Sequence, residues 1–67
     1  MFINLTLYEE AATAIFINVI HIISFTRKAG VNFTEVHCSS MGGESTTIYL
    51  VTETVEEIVE LVQVEDA

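Results

Sequence analysis

The sequence has few of the residues that usually stabilise a small domain by a covalent link or a metal ion. Cys38 is the only cysteine in 67 residues, so no disulfide can form within the chain, and no pair of Cys-x-x-Cys motifs is present to hold zinc. A core of this size is marginal when a chain folds alone. Because hydrophobic residues make up 51% of the sequence, we expect self-association to supply the missing stabilisation, which predicts a homo-oligomer.

Basic residues are equally scarce. Arg27 and Lys28 are the 2 basic residues against 10 acidic ones, and the formal net charge is -8. A surface of this sign repels phosphate groups, so we expect neither direct nucleic-acid binding nor attachment to an anionic membrane. A partner protein with a basic patch is favoured instead, and mimicry of nucleic acid is a less favoured alternative.

The sequence also lacks a segment typical of export or membrane insertion. The first residues, MFINLTLYEE, show no basic region and no cleavage signal. The apolar stretch AIFINVIHIISF has 12 residues and includes Asn18 and His21, whereas a membrane span needs about 20. Together with the lone cysteine, these absences predict a cytoplasmic protein in a reducing compartment.

Proline is absent, so nothing interrupts the runs in which apolar and polar residues alternate. This period of two predicts strands, which are separated by small polar and glycine-containing turns. The clearest turn is SSMGGE, where Gly42 and Gly43 predict a hairpin. The second run is long and apolar, and we expect a bend or bulge near residues 18–21. The four predicted strands cover about residues 2–8, 14–26, 32–38 and 45–51.

The period changes near residue 55. Val55, Ile58 and Val62 belong to an apolar stripe with helical spacing, which predicts an amphipathic helix over about residues 55–64. Thr54 and Glu57 match a capping box at its start. A helix this short must pack on the sheet to be stable. We therefore predict a single α+β domain over 1–67, with a four-stranded, mostly antiparallel β-meander and one C-terminal helix packed on one face.

No residue constellation predicts catalysis. His21 lies in an apolar strand without an evident partner, which favours a packed histidine over a general base or ligand. His37 and Cys38 are adjacent, so their side chains point to opposite faces of a strand and cannot easily act on one metal or substrate. The glycines of SSMGGE link two predicted strands, unlike a phosphate-binding loop. We expect a non-enzyme with no catalytic, cofactor-binding or metal-binding residues.

Two surfaces are candidate interaction sites. Alternation places part of the apolar side chains on the sheet face opposite Ile15, Ile48 and Leu50, and an apolar outer face implies a partner or a second copy. The helix presents carboxylates that serve either solubility or recognition. The candidate oligomer face consists of Phe16, Tyr49 and Val51, and the candidate interaction face of Glu53, Glu56, Glu57 and Glu60.

Short motifs over most of the chain carry a family resemblance. They are Ile3 to Thr6, Ile17-Asn18 with His21-Ile22, Thr34 to Val36, Gly42-Gly43, and Val51 to Ile58. With these motifs the chain resembles the small FlbD-like family, which includes swarming motility proteins of the SwrD type. The resemblance implies a non-enzymatic helper of the flagellar motor. The chain departs from the family in its first turn, EEAAT, and in its scarcity of lysine. Similar short proteins also look common in bacteriophage genomes.

Three functions are consistent with these features. The leading hypothesis is a small acidic, non-catalytic protein-interaction module that acts as an oligomer, and a phage or mobile-element origin would make it an inhibitor or regulator of a host protein. The FlbD-like resemblance implies a flagellar-motility accessory as an alternative. A further alternative is a small-molecule binder, with a pocket at a subunit junction lined by His21, His37 and aromatic residues.

Overall fold

The protein folds into five strands and one helix. A computed structural model describes residues 1–39 and 45–66, so the predicted Gly42-Gly43 hairpin lies outside the described residues. Among the described residues, no helix has the length and apolar character to cross a bilayer. The elements in chain order are β1 (Phe2–Thr6), β2 (Ala14–Asn18), a 3-10 turn (Val19–His21), β3 (Ile22–Thr26), β4 (Thr34–Ser39), β5 (Thr46–Val51) and α1 (Val55–Asp66).

The strands form two antiparallel sheets. One sheet pairs β1 with β2, and the other has the order β3-β4-β5. The sheets meet where Leu7 forms an antiparallel bridge with Val51. Two backbone hydrogen bonds flank this bridge, from the Tyr8 N–H to the Leu50 carbonyl at 2.7 Å and from the Thr52 N–H to the Thr6 carbonyl at 2.9 Å. The end of β1 is thereby tied to the end of β5.

The α+β class is confirmed, whereas the four-stranded meander is wrong. The predicted strand over 14–26 is divided into β2 and β3 by the 3-10 turn, at the position where a bend was expected. The side-chain oxygen of Asn18 accepts a hydrogen bond from the Ile20 N–H at 3.3 Å, which turns the backbone out of the strand. Because the chain changes direction there, β2 and β3 belong to different sheets.

The core lies between both sheets and the helix. The buried threonine Thr34 donates a hydrogen bond from its hydroxyl to the Glu53 carbonyl at 2.6 Å, which links β4 to the segment before α1. From the helix, Ile58 is buried, and Leu61 and Val62 pack against the core. The buried hydrophobic residues are Ile3, Leu5, Ile17, Val36, Cys38, Val51 and Ile58.

The two faces of β5 are the reverse of those predicted. Val51 is 0% exposed and belongs to the core, so its assignment to the oligomer face is wrong. Ile48, expected beneath the helix, is 53% exposed, and Leu50 is exposed as well. Val51 lies opposite Thr34 and bridges Leu7, and these contacts fix its row of side chains as the inner one.

The predicted capping box is confirmed at the start of α1. The Thr54 N–H donates to Glu57 Oε1 at 3.0 Å, and the Glu57 N–H donates to Thr54 Oγ1 at 3.1 Å. Each side chain thus satisfies a backbone donor that the first helical turn leaves unpaired. The helix extends to Asp66, slightly beyond the predicted end near residue 64.

Candidate functional surfaces

The acidic surface forms a shallow depression between β1 and α1. Its volume is about 360 Å³. It brings together three of the four glutamates of the candidate interaction face, whereas Glu56 lies outside it and is exposed. The lining residues are Asn4, Glu53, Glu57, Glu60 and Leu61.

Two of the four glutamates have partners within the protein. Both carboxylate oxygens of Glu53 accept hydrogen bonds from the Thr6 N–H, at 2.9 and 3.1 Å. Glu57 is engaged in the capping box. Glu56 and Glu60 are exposed, and within the described part of the chain neither makes a hydrogen bond or ion pair. Glu56 and Glu60 are therefore the carboxylates of this surface that are free to meet a partner.

The capping contacts also stabilise the charge on Glu57. The Thr54 backbone N–H donates to this carboxylate and lowers the pKa of Glu57 below its ordinary value of 4.5. A side-chain hydrogen bond with Thr54 and the positive charge of Arg27 lower the pKa further, although partial desolvation opposes them. Glu57 thus carries its charge to lower pH than an isolated glutamate.

A second depression contains the aromatic residues of the candidate oligomer face. Phe16 is 69% exposed and Tyr49 is half-buried, and both line this depression of about 340 Å³. Phe2 is exposed beside them, because Phe2 pairs with Asn18 and Asn4 pairs with Phe16 in the register of β1 and β2. Phe16 and Tyr49 therefore line one depression without Val51, but Tyr49 belongs to the inner row of β5 and packs against the core, so its assignment to an outer face is wrong.

The two histidines do not line the same depression. His21 lines the second depression, next to the aromatic side chains. His37 lies on the outer face of β4, opposite Ile48, with its Nε2 atom 3.4 Å from Glu35 Oε1. Cys38 is buried, and desolvation raises the pKa of its thiol. Cys38 belongs to the buried core, and a raised thiol pKa disfavours the thiolate.

An apolar groove between β3 and α1 was missed by the sequence reasoning. Its volume is about 270 Å³. Two adjacent isoleucines, Ile22 and Ile23, line the groove. They can do so because the register between β3 and β4 shifts between Ile22 and Ser24, which leaves Ile23 as an extra residue. The uninterrupted run VIHIISF could have indicated this groove. In a strand with strict alternation, Ile22 and Ile23 would point to opposite faces and could not both line it. The groove is lined by Val19, Ile22, Ile23, Phe25, Val59, Val62 and Gln63.

Metal-ligating residues do not cluster in the described ranges 1–39 and 45–66, where no group of three or more His, Cys, Asp or Glu side chains could hold an ion. In comparisons with protein-family models, curated proteins and solved structures, none matches this chain.

Proposed function

We propose that this protein is a small acidic, non-catalytic protein-interaction module that acts as an oligomer in the cytoplasm. The observation that carries the proposal is the balance between buried and exposed apolar side chains. In the described residues, seven hydrophobic residues are buried, whereas nine large hydrophobic residues are exposed. Exposed apolar surface on this scale is typical of a protein contact.

The net charge of -8 supports a heterologous partner of opposite charge. Glu56 and Glu60 project from α1 without a described internal partner. Glu60 lines the depression together with Glu53 and Glu57, and Glu56 lies outside it. Lysine and arginine side chains complement such a surface, and charge complementarity accelerates association and selects the partner. A protein with a basic patch is therefore the partner class that we propose for the helix face.

An affinity capture with charge-matched variants tests this partner class. The tagged protein and its Glu56→Gln/Glu60→Gln variant are used to capture proteins from a lysate of the source organism or its host, followed by mass spectrometry. The control is Glu9→Gln/Glu10→Gln, which removes the same charge from an exposed turn. We expect the recovery of a specific basic partner to fall at least about tenfold with the helix variant and to stay unchanged with the control.

The contrasting outcome is equal recovery with both variants. It would show that the helix carboxylates only keep the surface hydrated. A recovered partner whose binding does not weaken between low and high salt would likewise contradict an electrostatic contact, since salt screens exposed charges.

A small-molecule site is a second candidate function, favoured by the depression that Phe2, Phe16, Tyr49 and His21 share. Its aromatic walls suit a planar ligand that stacks on rings and accepts or donates one hydrogen bond at the imidazole. Thermal unfolding with a panel of nucleosides and nucleotides tests it. A shift that His21→Ala abolishes would support the site, and no shift with any member of the panel would remove nucleosides and nucleotides as candidate ligands.

The biological setting rests on the resemblance alone. A flagellar-motility accessory and a phage-borne inhibitor of a host protein are both compatible with a non-catalytic module. Neighbouring genes distinguish them, because flagellar neighbours favour the first and phage neighbours favour the second.

A further inference from the structure

The outer edge of β3 and the groove beside it form one continuous apolar surface. In the order β3-β4-β5, β3 is an outermost strand, and no described strand pairs with its other edge. Ile23 is 62% exposed on this strand, and Ile20 is 78% exposed in the turn that precedes it. The groove of about 270 Å³ between β3 and the Val59 side of α1 adjoins this edge.

Like the depression around Phe16 and Tyr49, this surface has no charged side chain among its described lining residues. Residues 11–26 contain no Asp, Glu, Lys or Arg, and none occurs among the described side chains that line the groove. Strand edges that remain free usually carry charged side chains or proline, which prevent pairing with another chain. The edge of β3 has neither, although the extra residue Ile23 forms a bulge in it, and this composition favours a strand whose edge is covered.

We infer that a second copy of this chain covers the edge of β3. In this dimer, β3 of one copy pairs antiparallel with β3 of the other around a two-fold axis. Two copies of charge -8 repel each other through most surfaces. An uncharged patch is where like-charged copies can meet, and a two-fold axis places this patch against itself. A basic partner, in contrast, would find no carboxylate here to bind.

The two flanks of α1 differ in charge, which supports separate sites for a second copy and for a basic partner. Glu57 and Glu60 line the acidic depression on one flank of α1, whereas Val59 and Val62 line the groove on the other. In a β3–β3 dimer the three strands from each copy would form a continuous six-stranded sheet. The flank of α1 that lines the groove would be covered in each copy, and the flank that carries the acidic depression would remain exposed. The inference rests on the oligomeric part of the proposed function and adds the location of the contact.

Two matched isoleucine variants test the inference. Ile23→Glu introduces a carboxylate at the proposed contact, and Ile48→Glu introduces one on β5 of the same sheet, where the side chain is similarly exposed. In sedimentation velocity we expect a dimer for the unmodified protein and for Ile48→Glu. For Ile23→Glu we expect at least about a tenfold rise in the dimer dissociation constant, because two like charges are brought together. Far-UV circular dichroism verifies folding of both variants.

Amide hydrogen exchange on the unmodified protein provides a test that needs no variant. Amides of β3 that point away from β4 should be protected at high protein concentration and should exchange faster on dilution. A monomer at every concentration, or a dimer that Ile48→Glu dissociates and Ile23→Glu does not, would overturn the inference. The Glu56/Glu60 capture experiment is independent of both results, so failure of this contact is distinguishable from failure of the acidic partner surface.

Discussion

At the scale of single residues, polar side chains determine how the two sheets meet the helix. Thr34 is fully buried, and its hydroxyl donates to the Glu53 carbonyl at 2.6 Å. The carboxylate of Glu53 reaches the Thr6 N–H at the end of β1. Glu53 therefore connects β1, β4 and the start of α1, although its place in an acidic sequence suggested a surface role.

Replacement of Thr34 by valine should destabilise the protein by about 1 kcal/mol. Valine retains the shape of the side chain but removes the donor and leaves the Glu53 carbonyl without that hydrogen bond. Thr46→Val on the exposed start of β5 is the control and should change the free energy of unfolding by only a few tenths of a kcal/mol. Urea denaturation measures both. Equal effects of the two substitutions would contradict the role given to Thr34.

At the scale of the elements, the capping box makes the stability of α1 depend on pH. The pKa of Glu57 is lower in the folded protein than its ordinary value of 4.5. The charged form is thus favoured by folding, and its stabilising contribution is complete above pH 4.5 and lost as the pH falls through the lower, folded pKa.

We expect Glu57→Gln to remove this part of the pH dependence. The difference in unfolding free energy between pH 7 and pH 3 should be smaller in the variant than in the unmodified protein, because glutamine does not titrate. Glu56→Gln, one residue earlier and outside the capping box, should retain the dependence of the unmodified protein. Urea denaturation at both pH values measures it, and identical behaviour of the two variants would refute the capping explanation.

The predictability of the elements follows from their periodicity. The helix and its cap could be predicted because the apolar stripe of α1 and the Thr54–Glu57 pair are local signals. The faces of β5 could not, because TTIYLV is apolar at both alternating positions, and only the Leu7–Val51 bridge and the Thr34–Val51 pairing decide which row is buried. The bend near residues 18–21 could be predicted, but the assignment of its two sides to different sheets could not, since the run remains largely apolar through the 3-10 turn.

At the scale of the whole molecule, the charge and the apolar surface act in opposite directions. Charge of -8 keeps copies apart, whereas the exposed isoleucine and phenylalanine side chains favour association. The two features are segregated, with carboxylates along one flank of α1 and an uncharged groove along the other. Under the proposed function, this segregation would let one small chain associate with itself and bind a basic partner at the same time.

The molecular mass of the unmodified protein in solution, measured by light scattering over a range of concentration and salt, tests this account most directly. We expect a mass of twice 7.4 kDa that persists or increases at about 1 M salt, where repulsion between the acidic copies is screened over about 3 Å. A mass of 7.4 kDa at every concentration and salt would contradict the central claim that a second copy covers the exposed apolar surface.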